Sequence, residues 1–167
     1  MLFATNLSQA CIPALKTAVY IAAQNKARLI LLYVAYSDVP KNMEKRLEIV
    51  IGPNKFKRIK KEHEHEVQKT LMGKMAPGKL GQRIIKQYCV DAGFDPDKFE
   101  FNWKYLVITD KDLVGTILKQ AAENECSFIV MGLKRGSFKN HLVGATIKRV
   151  LEKTKIPVIV VPPNNED

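Results

Sequence analysis

The stretch whose residue types most readily suggest chemistry is SFIVMGLKRGSFKNHLVGATIKRVL, residues 127–151. An apolar run ends at Gly132, a basic segment with Lys134, Arg135, Gly136 and Lys139 follows, and Gly144 stands where a helical pattern begins. Glycine lets the backbone approach a ligand closely, and the first N–H groups of a helix have no partner inside it. A strand–glycine–helix passage of this kind can therefore cradle an anion, phosphate above all. The same residues also make an ordinary tight connection, so the stretch by itself leaves both readings open.

Other chemistry is thinly represented. His63 and His65 in KKEHEHEV lie about 200° apart around a helix axis, which does not place them on one metal ion. His141 has no ligand at metal-binding spacing, so no metal site is expected. Cys11, Cys89 and Cys126 are far apart with no CxxC spacing and read as reduced, buried thiols. There is no G-x-S-x-G elbow, and Asp110 and Asp112 suit helix capping better than paired acid–base work. No residue offers itself as a base. The expectation is a protein without a catalytic residue.

Charge is unevenly spread. Of the net +10, residues 41–86 hold thirteen Lys/Arg against five Glu, leaving fourteen against twelve acids elsewhere. A nearly neutral domain thus carries one basic segment, a solvated surface in the first instance and a face for nucleic acid or another anionic partner in the second. The longest apolar run, Leu29–Tyr36, is too short to span a bilayer. The start MLFATNLS has no basic segment ahead of its apolar residues, so no transmembrane segment or secretory leader is expected and the cytoplasm is the expected location.

The elements that must position these residues alternate. LFAT reads as a strand, with Ser8 placed to cap the helix that follows. In QACIPALKTAVYIAAQNK, Ile12, Leu15, Val19 and Ala22 share a helical face, and Pro13 sits in the first turn. ARLILLYVA is a strand buried on both faces. Residues 37–98 read as a long, basic helical insertion. Helices are expected around NMEKRLEIVI and PNKFKRIKKEHEHEVQKTLM, MAPGKLG is a break, and QRIIKQYCVDAG is a helix with Ile84, Ile85 and Tyr88 inward. KFEFNWKYLVI is a strand, and TDKD matches a capping box with Thr109 three residues before Asp112. The helix it opens turns Val114, Ile117, Leu118 and Ala121 inward. SFIVMG is a strand, GATIKRVLEKT a helix with Ile147, Val150 and Leu151 inward, and IPVIVVP the last strand.

Such alternation predicts an α/β, doubly wound parallel sheet with helices on both faces. One domain over 1–163 with a tail at 164–167 is expected. Ligands in such folds bind beyond the carboxyl ends of the strands, here at ATNLS, YVAYSD and MGLKRG. The closing strand, Val158–Val161, is apolar on both faces and would lie at a sheet edge, which calls for cover or pairing.

The chain resembles the universal stress protein family. The likeness rests on MLFATNLSQACIPALKTAVYIAAQNKARLILLYVA at one end and DLVGTILKQAAENECSFIVMGLKRGSFKNHLVGATIKRVLEKTKIPVIVVPP at the other, roughly half of the residues. The resemblance implies a five-stranded parallel sheet in the order 3-2-1-4-5, a homodimer through the last strand, and a regulatory or adaptor protein that binds an adenine nucleotide, ATP or AMP, with or without magnesium, and at most hydrolyses bound ATP slowly. The alternative is a member that has lost the nucleotide and acts through its basic insertion. Family members that bind ATP carry glycine, two residues, glycine, nine residues, then glycine with serine or threonine. In this chain the outer glycines fall on Gly132 and Gly144, one residue too close. The middle position falls on Arg135 or Lys134 rather than Gly136, and Ala145 takes the hydroxyl position with Thr146 one place later. After the first strand, relatives place an aspartate where this chain has Ala4, Thr5 and Asn6. Val34 and Met131 match positions that flank the adenine.

Overall fold

The computed structural model describes residues 1–35, 52–54, 57, 78–95, 98, 102–133 and 144–163. The helices expected around NMEKRLEIVI and PNKFKRIKKEHEHEVQKTLM lie almost wholly outside these residues, as do His63, His65 and His141. Strand β1 (Leu2–Thr5) leads through a short 3-10 turn, Gln9–Cys11, into helix α1 (Ile12–Asn25). Strand β2 (Leu29–Ala35) follows, then helix α2 (Gly78–Asp91), strand β3 (Trp103–Thr109) and helix α3 (Leu113–Glu123). Strand β4 (Ile129–Gly132), helix α4 (Ala145–Lys153) and strand β5 (Val158–Val161) complete the order.

The five strands form one sheet in the order β3-β2-β1-β4-β5, every pairing parallel. Successive side chains along a strand point to opposite faces, and two cores result. Phe3, Leu29, Leu31 and Val130 pack with Leu15, Val19, Ile84, Ile85 and Tyr88 under α1 and α2. Leu2, Ala4, Ile30, Leu32, Ile129 and Met131 pack with Val114, Ile117, Ile147 and Val150 under α3 and α4. Continuous apolar runs in β1, β2 and β4 are thus the sequence of strands buried on both sides. β5 divides likewise, with Ile159 and Val161 against the first core and Val158 and Val160 against the second.

Helix boundaries depart from expectation at three places. Ser8 does not cap α1 through its side chain; it opens the 3-10 turn, and Cys11 holds the position before Ile12. Thr109 is the last residue of β3, paired with Ala35, and caps nothing. Asp112 is the N-cap of α3, its Oδ1 accepting from the Gly115 N–H at 3.0 Å, because a carboxylate three residues past the end of the strand reaches the first helical turn and the threonine does not. The break expected across MAPGKLG is partly helix, since Gly78 and Gly81 belong to α2. Leu151 is exposed rather than inward, at 46%. It stands about 100° around the axis from Val150, off the narrow stripe of Ile147 and Val150.

Candidate functional site

Three strands end side by side. Ala4 of β1 is level with Leu32 of β2 and with Met131 of β4, and all three face α3 and α4. The chain runs from β1 outward through β2 and β3, then returns to place β4 on the other side of β1. Connections therefore diverge between β1 and β4, where parallel α/β sheets leave a crevice. A cavity of about 340 Å³ occupies that crevice. Its floor and apolar wall are Ala4, Leu32, Val34, Met131, Ile117 and Ile147. Its rim is polar backbone and short side chains: Thr5, Asn6 and Cys11 from the passage after β1, then Gly132, and then Gly144, Ala145 and Thr146 at the start of α4.

The passage from β1 to α1 is tied by several hydrogen bonds. Leu7 adopts a left-handed backbone, φ 61°, while its side chain is buried at 1%. That conformation costs an L-residue about 1–2 kcal/mol. It is held by an N–H···O bond from Leu7 to Thr5 Oγ1 at 2.9 Å. One residue on, the Ser8 N–H donates to Asn6 Oδ1 at 3.0 Å, and Cys11 Sγ donates to the same oxygen at 3.2 Å. The Tyr88 hydroxyl, reaching from α2, donates to the Ser8 carbonyl at 3.0 Å. Burial, with the neighbouring Cys11 thiol adding to it, pushes the Tyr88 pKa far up, so this hydroxyl stays protonated.

On the opposite side Gly132 permits close packing. A Cβ there would stand 3.2 Å from both Cα and Sγ of Cys11 and 3.3 Å from Cβ of Ala14. Gly144 serves a different purpose. It is the N-cap of α4 with extended backbone and no side-chain cap bond, and a Cβ there would meet nothing within 4 Å. The first N–H groups of α4 have no partner inside the helix, and the residues that carry them, Ala145 to Ile147, line the cavity. An anion placed there would meet outward-pointing amides and the positive end of the helix dipole.

Of the residues singled out in the sequence, Ala4, Thr5, Asn6, Val34, Met131, Gly132, Gly144, Ala145 and Thr146 all line this one cavity. Lys134, Arg135 and Gly136 lie outside the described residues. Cys11, Leu32, Leu113, Ile117 and Ile147 also line it and were not anticipated as site residues. Leu32 carried a usable signal, since it stands two positions before Val34 on a strand and hence on the same face. Cys11 carried none. Among the described residues no group of three His, Cys, Asp or Glu side chains comes together, and no helix is long and apolar enough to cross a membrane.

A profile of the universal stress protein family matches residues 1–162. This chain belongs to that family. Solved structures of universal stress proteins share its fold. UspA from Lactobacillus plantarum is 22% identical, with a TM-score of 0.54 over 96% of this chain and 95% of its own. A universal stress protein in complex with cAMP is 15% identical, with a TM-score of 0.57 over 98% and 95% of the two chains. The universal stress protein from Archaeoglobus fulgidus in complex with dAMP is 14% identical, with a TM-score of 0.53 over 96% and 94%. No curated protein sequence matches significantly. At these identities the likeness to the solved structures is one of fold, and the cavity of this universal stress protein must be judged on its own lining.

Proposed function

We propose that this universal stress protein is a regulatory or adaptor protein that holds an adenine nucleotide, ATP or AMP, at the carboxyl rim of its sheet, and does so without a catalytic residue of its own. The observation that carries the reading is the cavity between β1 and β4, apolar at one end and lined at the other by the first residues of α4, whose amides have no partner inside the helix. A purine needs an apolar slot with a few polar groups at its edge, which Val34 and Met131 beside Asn6 supply. A phosphate needs backbone N–H groups, which the turn from Gly144 to Thr146 supplies. The complexes of two related proteins with cAMP and dAMP support the choice of adenine.

Binding to the native state raises its stability by an amount set by ligand concentration over the dissociation constant, about 2.7 kcal/mol at a hundredfold excess. Millimolar AMP or ATP is accordingly expected to raise the melting temperature by several degrees. An unchanged melting temperature with either nucleotide, with and without magnesium, removes the proposal. It would leave the second reading, favoured by the charge concentrated in residues 41–86, that the protein acts on a protein or polyanion partner through that segment. We assign the protein to the cytoplasm and the 1–163 span to one domain. A homodimer paired through Val158–Val161 is supported by the place of β5 at the sheet edge with half-buried side chains. Light scattering at micromolar concentration is expected to give the dimer mass; a monomer mass refutes the pairing.

A further inference from the structure

Asn6 stands at the cavity rim with its amide orientation decided by its partners. A backbone N–H can only donate, so the Asn6 atom 3.0 Å from the Ser8 nitrogen is the carbonyl oxygen. The same oxygen accepts from Cys11 Sγ at 3.2 Å. Two acceptor directions are thereby occupied, and what the side chain retains for a ligand is its NH₂ group, two donors and no acceptor. Magnesium makes the opposite demand. It takes hard oxygens in near-octahedral geometry, ordinarily one or two carboxylates beside phosphate and water. Among the described residues, no aspartate or glutamate lines the cavity. The two carboxylates at the β3–α3 turn are committed elsewhere. Asp110 accepts from the Asp112 N–H at 2.9 Å and from Thr116 Oγ1 at 2.8 Å, and Asp112 accepts from the Gly115 N–H at 3.0 Å. Thr5 Oγ1 accepts from the Leu7 N–H. The donor set of the described residues suits an anion and does not fit a magnesium ion.

Resting on the nucleotide reading above, we propose that Asn6 sets the ligand class of the cavity. The adenine nucleotide enters free of divalent cation, and the Asn6 amide donates to an acceptor atom of its ribose or base. Positive charge is available in the chain itself, since residues 134–143 hold Lys134, Arg135 and Lys139 and no acid. The test is calorimetric titration of the full chain with AMP and with ATP, each in excess EDTA and in millimolar magnesium chloride, for the wild type and for Asn6→Asp. The aspartate keeps an oxygen for Ser8 and Cys11, so the turn is retained. For the wild type, dissociation constants in the two solutions are expected to agree within about twofold. Asn6→Asp is expected to bind at least about tenfold more weakly in EDTA, a difference of ~1.4 kcal/mol, and to regain affinity with magnesium. Wild-type binding tightened about tenfold or more by magnesium overturns this proposal while leaving the nucleotide reading intact. A variant indistinguishable from the wild type in both solutions also overturns it. No binding of either nucleotide in either solution removes the nucleotide reading and this proposal with it. If the variant does not fold, the wild-type comparison alone decides.

Discussion

Gly132 joins the fold to the cavity, and its replacement by alanine tests whether the two are coupled as described. Carbon atoms pack favourably at about 3.5–4.0 Å, whereas the new methyl would lie 3.2 Å from Cα and Sγ of Cys11 and 3.3 Å from Cβ of Ala14. The thiol can rotate, but the Cys11 Cα is backbone and Ala14 has nothing to rotate. Relief requires the start of α1 to withdraw by a few tenths of an ångström. The helix resists, because Ala14, Ala18 and Ala22 seat it closely on the sheet, each fully buried at 0%. Overpacking of this kind costs about 1–3 kcal/mol, offset by ~0.4–1 kcal/mol from the stiffer unfolded chain. A net loss of about 1–2 kcal/mol follows, or about 2–8 °C in melting temperature for a chain of this length. Urea unfolding followed by the single Trp103 measures it. Gly144→Ser is the control: its Cβ meets nothing within 4 Å and its backbone is extended, so a serine cap is expected to leave stability unchanged or raise it by a few tenths of a kcal/mol. If Gly132→Ala is as stable as the wild type, the close seating of α1 on β4 is wrong.

Two pH effects follow from individual groups. The hydrogen bonds from the Asp112 N–H and the Thr116 hydroxyl hold the Asp110 carboxyl below its usual range. Its stabilising contribution is therefore present above the unfolded pKa of about 4 and is lost as pH falls below it. Asp110→Asn is expected to flatten the acid limb of urea midpoint against pH; an unaltered limb refutes the assignment. Burial pushes the Cys89 thiol up to about 12. Its contribution is complete below the unfolded pKa of about 8.5 and is lost as pH rises toward the folded value. Cys89 is accordingly expected to resist alkylation in the native protein at pH about 8.5 and to react once urea is added, as peptide mapping would show; labelling of the native protein at a free-thiol rate refutes it.

The parts of this structure that were legible in the sequence are those written in apolar periodicity. Runs such as LILLYVA suit strands covered on both faces, and the α/β alternation then places the rim where Ala4, Val34 and Met131 meet. Local hydrogen bonding was not legible. Thr109 and Asp112 both satisfy a cap pattern, and only the end of the β3 pairing at Thr109 decides that the aspartate takes the role. Leu151 fits a helical stripe on paper, but a nine-residue helix seated through Ile147 and Val150 buries too narrow a face to include it. Cys11 was hidden for another reason. Its place on the cavity wall comes from Gly132, far away in sequence, which lets the start of α1 approach the end of β4.

The two ends of the cavity differ in how side chains tie them, and that bears on how a ligand would be held. On the β1 side the wall is over-determined. A left-handed Leu7, worth about 1–2 kcal/mol of strain, persists because Thr5, Asn6, Cys11 and Tyr88 each hold one group of the same turn. Strain retained in this way at a cavity wall keeps polar atoms in place before any ligand arrives, so binding need not spend free energy on ordering them. On the α4 side the cap residue is Gly144, with no side-chain bond to the helix it opens. With the nucleotide proposed above, selection of the base and ribose would fall on the turn after β1. A universal stress protein built this way would resist variation around Asn6.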